Sequence, residues 1–281
     1  MNSTMLSFIQ KIKSFYLIEI FVSLTVILIF PCNIFAQSPY EMKWKKDGPL
    51  LLVGIPLALG GYALDASMTP LTIKEINDLD RGNIPQIDRF ASYNYSESAS
   101  NLSDILIYTC LTSPFLLLFS SAIRNDFSVV YGMYGESLLF GISLPFYGKA
   151  GIQRIRPYAY NSEVPLDKKL IPDTKKSFFS GHTSGAFTSV VFLSTIYGSY
   201  YPDSKWKPYI WTGSILIAST VGYLRIAAGS HFLTDVVVGA IVGATAGYII
   251  PKIHETNHNN AIYDSPDVSN RLPALSFKFS L

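Results

Sequence analysis

Charge is scarce in this chain. Only 15% of its 281 residues are Asp, Glu, Lys or Arg, whereas 49% are hydrophobic, and an ordinary soluble domain carries about a quarter charged residues. The formal net charge is +2 and the basic residues are scattered, which excludes an electrostatic footprint for nucleic acid. Any anionic partner must be met locally. Cysteine is scarce too: Cys32 lies in an amino-terminal apolar stretch and Cys110 inside a hydrophobic run, so no disulfide framework is legible. There is no internal repeat and no low-complexity tract, which excludes a solenoid.

What the chain has in abundance is long apolar sequence. Lys11 and Lys13 precede a run from Phe21 to Phe30, and Ala36 stands before Gln37. That pattern predicts a secretory signal over residues 1–36, with an uncleaved anchor as the alternative. Six further apolar stretches follow, at 48–66, 103–121, 128–148, 183–200, 208–227 and 232–250. Each approaches the ~20 residues that a helix needs to cross a bilayer. None alternates as barrel strands do, and backbone groups in lipid must satisfy one another, so the expected fold is all-α, a six-helix transmembrane bundle. A large soluble helical protein is the alternative, because several stretches carry Gly, Ser and Thr, although small residues also suit close packing in membranes. The expected divisions are the signal-like segment, a first membrane helix with a polar connection over 37–102, a core over 103–250, and a polar tail over 251–281 in which His254 and His258 are solvated.

Three short segments carry chemistry, and in an alternating bundle all three face one side of the membrane. The third stretch ends at Lys149, and Arg156-Pro157 follows after six residues. A guanidinium fork and a compact ammonium suit phosphoryl oxygens, although membrane-flanking cations also serve as snorkelling anchors. The fourth stretch opens with Ser180-Gly181-His182. Ser can cap the helix, Gly admits close backbone approach, and a helix start binds anions. His182 is placed to pass a proton near neutral pH, or simply caps the helix. Arg225, His231 and Asp235 then occur in the spacing Arg-x5-His-x3-Asp. Four residues apart on one helical face, Asp235 can accept a hydrogen bond from one ring nitrogen of His231 and leave the other free to attack. A structural His–Asp pair is the alternative. Asp88, Arg89 and Asn94, in the connection from Met68 to Asn101, are read as a solvated loop outside the site.

In order and in internal spacing, the three segments resemble the signature of the type 2 phosphatidic acid phosphatase and vanadium haloperoxidase superfamily. The similarity covers roughly residues 100–250, and the six-helix arrangement resembles its membrane lipid phosphatase branch. The resemblance implies that His231 attacks phosphorus to form a phosphohistidine, that Asp235 orients it, and that His182 protonates the leaving alcohol. It also implies that Lys149, Arg156, Ser180, Gly181 and Arg225 hold the phosphoryl group, with no metal and no cofactor. Two positions depart from the family pattern: Phe179 stands where Pro commonly precedes Ser-Gly-His, and Leu224 where Ser commonly precedes the Arg.

The implied partners are a lipid phosphate and the surrounding membrane lipids. The sequence does not indicate an oligomeric state. Other readings are a lipid-phosphate-binding protein without turnover, a phosphotransferase, and a vanadate haloperoxidase, the last opposed by the membrane-length stretches. A cleaved signal followed by six crossings would put the catalytic loops in the cytoplasm. Lys43, Lys45 and Lys46 instead favour a cytoplasmic start for the first stretch, and the resemblance to bacterial envelope lipid phosphatases implies an inner-membrane protein with its site facing the periplasm. The two are reconciled if the segment from Leu50 to Leu64 does not fully cross.

Overall fold

The computed structural model describes residues 38–256. The signal-like segment and the tail beyond Thr256, including His258, lie outside the described residues. Within them the secondary structure is helical, and one isolated bridge pairs Tyr40 with Glu255.

Six long helices form the body, numbered here without the short turns between them. They are α1 (Trp44–Ala66), α2 (Glu97–Thr112), α3 (Phe127–Ile152), α4 (Gly181–Tyr200), α5 (Lys207–Ala227) and α6 (Leu233–His254). Their boundaries follow local chemistry. Ser96 caps α2 by accepting from Ala99 N, and Pro114 follows closely on its end, where the chain tightens into a 3-10 run over Ser113–Phe119. Proline lacks an N–H and clashes with the preceding turn, which accounts for the break. Gln153 closes α3 in the left-handed conformation, φ 49°, with its N–H on the Lys149 carbonyl. By contrast α1 runs unbroken through Pro49 and Pro56. Its 23 residues give a length of about 34 Å, enough by length to cross a bilayer core.

Among the described residues, five helical segments are long and apolar enough to cross a membrane: those beginning at Trp44, Glu97, Phe127, Lys207 and Leu233. The sixth long helix, α4, differs for a physical reason. It sits in the middle, packed against α2, α3, α5 and α6, and a helix shielded by protein does not have to be oily. Several of its hydroxyls are satisfied by backbone carbonyls: Ser184 Oγ donates to Gly141 O, Thr188 Oγ1 to Ser184 O and Ser194 Oγ to Val190 O. The apolar side chains that remain exposed, such as Leu52, Leu59, Leu216 and Ile241, lie on the surrounding helices. Such an apolar exterior suits lipid rather than water.

One contact fixes the site's frame. Gly239, Gly243 and Gly247 of α6 face the backbone carbonyls of Ser180, Ser184 and Thr188 of α4, and a Cβ at Gly243 would lie 2.1 Å from the Ser184 oxygen. Glycine at every fourth residue lets the two backbones touch. The α4 start is thereby locked to the α6 start, where Ser180 N donates to the Asp235 carbonyl at 3.1 Å.

Two expectations need correction. The polar tail does not begin at residue 251, because α6 continues to His254, which is wholly buried. Residues 39–41 pair with 254–256 through Glu41 N to His254 O and Thr256 N to Pro39 O, which seals that end. Nor is the connection from Met68 to Asn101 a solvated loop. It contains the helical turns Ile73–Asn77 and Gln86–Arg89, buries Asp88, and places Asn94 Nδ2 on the Ile226 carbonyl at 3.1 Å. Gly229, at φ +70°, leaves a hypothetical Cβ 2.2 Å from the Asn94 oxygen, so this turn requires glycine on two counts.

Candidate active site

The three sequence segments meet at one end of the bundle, as the alternating topology requires. Tyr158 N donates to Gly229 O, and Ser177 N to Arg154 O, so the connection after α3 is stitched to itself and to the turn between α5 and α6. Lys149, Arg156 and Arg225 are all buried there. Arg156 is held from two sides, donating through Nε to Asp173 O at 2.8 Å and through its terminal nitrogens to Asp173 Oδ1 at 2.9 Å and Ser230 O at 3.2 Å. Arg225 donates to Ser103 Oγ of α2 at 3.1 Å. Lys149 lies beside Gly181, where a Cβ would sit 3.5 Å from its Nζ. Three cations buried together favour an anion between them.

The α4 start is capped as expected. Ser180 is the N-cap, and its Oγ accepts from Thr183 N. His182 Nε2 lies 2.9 Å from Asp104 Oδ1, and Arg225 approaches the same oxygen at 3.6 Å. Asp104 was passed over in the sequence, although a carboxylate at the head of an apolar stretch is itself a functional signal.

His231 is oriented differently from the expectation. Its Nδ1 lies 2.6 Å from the Ser177 carbonyl and 3.9 Å from Asp235 Oδ2. A carbonyl only accepts, so Nδ1 carries the hydrogen and the neutral ring has its lone pair on Nε2. Asp235 is not the direct hydrogen-bond acceptor, because its oxygens are taken up elsewhere: Oδ2 accepts from Ser177 Oγ at 2.5 Å and from Phe232 N at 2.9 Å, and Oδ1 accepts from Arg154 at 2.5 Å. The carboxylate thus holds Ser177, and Ser177 holds the ring. Burial pushes the His231 pKa well below its usual 6.5, and Arg156, Arg225 and Lys149 push it further in the same direction.

Behind Asp235 stands a buried polar network that sequence reasoning missed. Arg154 bridges Asp235 and Asp88, reaching Asp88 Oδ2 at 2.8 Å, and stacks over the Phe232 ring. Asp88 also accepts from Thr234 N at 3.0 Å and Thr234 Oγ1 at 2.6 Å. Burial alone would raise the Asp88 pKa, but these donors hold it below the usual range. Arg154 falls between the two cations of the Lys-x6-Arg segment, and nothing in that spacing marks it.

With this geometry in place, similarity to known proteins becomes informative. Residues 127–259, from α3 through α6, match the PAP2 superfamily. That match covers a little under half of the chain. The lipid A 4'-phosphatase of Porphyromonas gingivalis is 34% identical over 80 residues, 28% of this chain and 30% of that protein. A probable diacylglycerol pyrophosphate phosphatase of Schizosaccharomyces pombe is 30% identical over 105 residues, 35% of this chain and 38% of that protein. The chain therefore spans about a third of the length of these curated relatives. A crystal structure of Aquifex aeolicus LpxE aligns over 58% of this chain and 92% of that one, at 26% identity and a TM-score of 0.37. All eight residues expected at the site belong to the PAP2 region or its entry connections, and the structure gathers them at one end of α3, α4, α5 and α6.

Proposed function

We propose that this protein hydrolyses a phosphate monoester or diphosphate carried by a membrane lipid, through a phosphohistidine on His231 and without a catalytic metal. The observation that carries the reading is His231 itself: its Nδ1 is committed to the Ser177 carbonyl, and the buried cations Arg156, Arg225 and Lys149 act electrostatically on the ring. A neutral imidazole with a directed lone pair, set among buried cations, is an oriented nucleophile beside an anion site.

In the first step Nε2 of His231 attacks phosphorus and the bond from phosphorus to the lipid oxygen breaks. His182 gives that oxygen its proton, and the lipid departs as an alcohol or, from a diphosphate, as a phosphate. In the second step His182 removes a proton from water, the water oxygen attacks phosphorus, and the N–P bond breaks to release inorganic phosphate. Asp104, 2.9 Å from His182 Nε2, supports the imidazolium form of that ring. Lys149, Arg156 and Arg225 neutralise the phosphoryl oxygens, while Ser180 and the amide of Gly181 offer further hydrogen bonds. Ser177 and Asp235 are positioning residues, acting through the tautomer of His231.

The substrate class rests on the apolar exterior and on the relatives, whose names include phosphatases of lipid A, of diacylglycerol pyrophosphate and of lipid phosphates. Lys43, Lys45 and Lys46 on the cytoplasmic side, taken as the orienting feature in preference to the signal-like segment, support a site facing the periplasm of a bacterial inner membrane. A reporter fused after Asp173 that is active only in the cytoplasm would overturn that orientation. The function is tested by phosphate release from phosphatidic acid, diacylglycerol pyrophosphate, phosphatidylglycerol phosphate, undecaprenyl diphosphate and lipid A, with chelator present, by detergent-purified wild type and His231→Ala. Release that disappears in the variant is expected. No release from any lipid, or equal release by both proteins, would replace the proposal with a binding role.

A further inference from the structure

Asp47, Glu136 and His254 come from α1, α3 and α6 and converge at the end of the bundle opposite the active site. The reaction above does not use them. His254 lies nineteen residues along α6 from Asp235, roughly 28 Å at the helical rise.

Two buried carboxylates converge on one imidazole in this cluster. His254 Nδ1 faces the Ile250 carbonyl at 2.8 Å, so Nδ1 carries a hydrogen, and in the neutral ring Nε2 presents its lone pair. That lone pair meets Asp47 Oδ1 at 2.7 Å and Glu136 Oε2 at 3.3 Å. With the ring neutral, three acceptors point at one another, and either a proton on Nε2 or a cation between them must relieve the contact. Glu136 is only 1% exposed, and neither of its carboxylate oxygens has a hydrogen-bond partner among the described residues. A buried carboxylate in that condition is costly unless something positive lies against it.

We propose that Asp47, Glu136 and His254 bind a divalent transition-metal ion of the zinc type, in a structural site that ties α1, α3 and α6 together. Two carboxylates and a neutral imidazole balance a dication. One imidazole nitrogen with carboxylate oxygens is a donor set that zinc accepts. A tetrahedral ion with bonds of about 2.0–2.1 Å needs ligand atoms about 3.4 Å apart. The distance from His254 to Glu136 already fits, and the one from His254 to Asp47 has to open by about 0.7 Å, which a side-chain rotation supplies. The second oxygen of Glu136, also unpartnered, is available for bidentate coordination. The Ile250 carbonyl on Nδ1 fixes the ring and its tautomer, as outer partners of metal-binding histidines do. Access comes from the Asp47 side, where the side chain is 11% exposed near the start of α1.

A shared proton is the competing occupant, and metal analysis separates the two. The full chain, carrying no polyhistidine tag, is purified in detergent from cells grown with zinc, and its metal content is measured by mass spectrometry. The chelator-treated protein is then titrated with zinc while its melting temperature is followed. About one zinc per chain is expected, with a melting temperature that rises by several degrees on adding zinc back. Glu136→Gln, which keeps the shape and removes the charge, should weaken zinc binding at least about 100-fold, and Asp47→Asn serves if that variant does not fold. Substoichiometric zinc in the wild type with no rise in melting temperature, or binding unchanged in both variants, would overturn the proposal in favour of a proton. The readout does not depend on turnover, so it stands or falls separately from the phosphatase reading.

Discussion

Replacing Arg154 with Met keeps most of the side-chain length and its apolar contact with Phe232 while removing the charge between two carboxylates. Asp88 and Asp235 are 1% and 0% exposed, and the guanidinium side chain is 21% exposed, so the network is screened little by water. Removing one partner of a buried ion pair typically costs ~3–5 kcal/mol, because the remaining charge is left uncompensated. Here Asp88 keeps its two bonds from Thr234, and Asp235 keeps those from Ser177 and Phe232, so the lower figure of ~3 kcal/mol is the better expectation. For a body of this size that corresponds to a fall in melting temperature of roughly 6–12 °C. Cys110 is buried and reports unfolding directly: with Cys32 replaced by Ser, a thiol-reactive dye follows its exposure at a fixed heating rate. Adding Asp88→Asn to Arg154→Met removes one stranded charge and should recover part of the loss, giving a clear coupling in the double-mutant cycle. If Arg154→Met melts within 1–2 °C of the parent, or if the two substitutions are simply additive, the buried network does not hold the site together as described.

Other outcomes follow from single contacts. Gly243→Ala would put a Cβ 2.1 Å from the Ser184 oxygen, so α4 and α6 must separate. We expect loss of both stability and phosphate release, whereas Gly213→Ala, with open space around it, should change neither. Burial and then Arg156, Arg225 and Lys149 lower the His231 pKa. Its ring should therefore stay neutral as pH falls through 6.5, while an unfolded chain takes up the proton, so this group's contribution to stability is present above 6.5 and declines below it. Nitrogen-15 spectra of histidine-labelled protein check this, with Arg156→Met moving the titration upward and a midpoint near 6.5 in the parent contradicting it. Asp104→Asn should lower kcat with little change in KM and shift the basic limb of the pH profile, because Asp104 supports protonated His182. An unchanged profile would remove Asp104 from the acid's environment.

The convergence of the three segments was legible in the sequence because residue spacing within each one is local, and the alternation of apolar stretches brings them to one end of the bundle. The partners of those residues were not. His231 and Asp235 are correctly placed on one helical face, yet the hydrogen bond runs through Ser177, fifty-four residues away along the chain. Asp88 and Arg154 meet across sixty-six residues, a distance at which spacing carries no information. Likewise α4 is less oily than its neighbours because it is surrounded by protein, a fact of packing rather than of periodicity. His254 looked like part of a polar tail because its neighbours Lys252, Glu255 and Thr256 are polar, whereas its burial depends on Asp47 at the other end of the described chain.

The central claim is that phosphorus is transferred to Nε2 of His231. It is tested by mixing enzyme with lipid labelled with phosphorus-32, quenching in alkali within milliseconds, and mapping the label by peptide mass spectrometry. The account predicts a base-stable, acid-labile phosphoryl group on the peptide containing His231, absent in His231→Ala. Steady turnover by that variant, or a label recovered on any other residue, would contradict it.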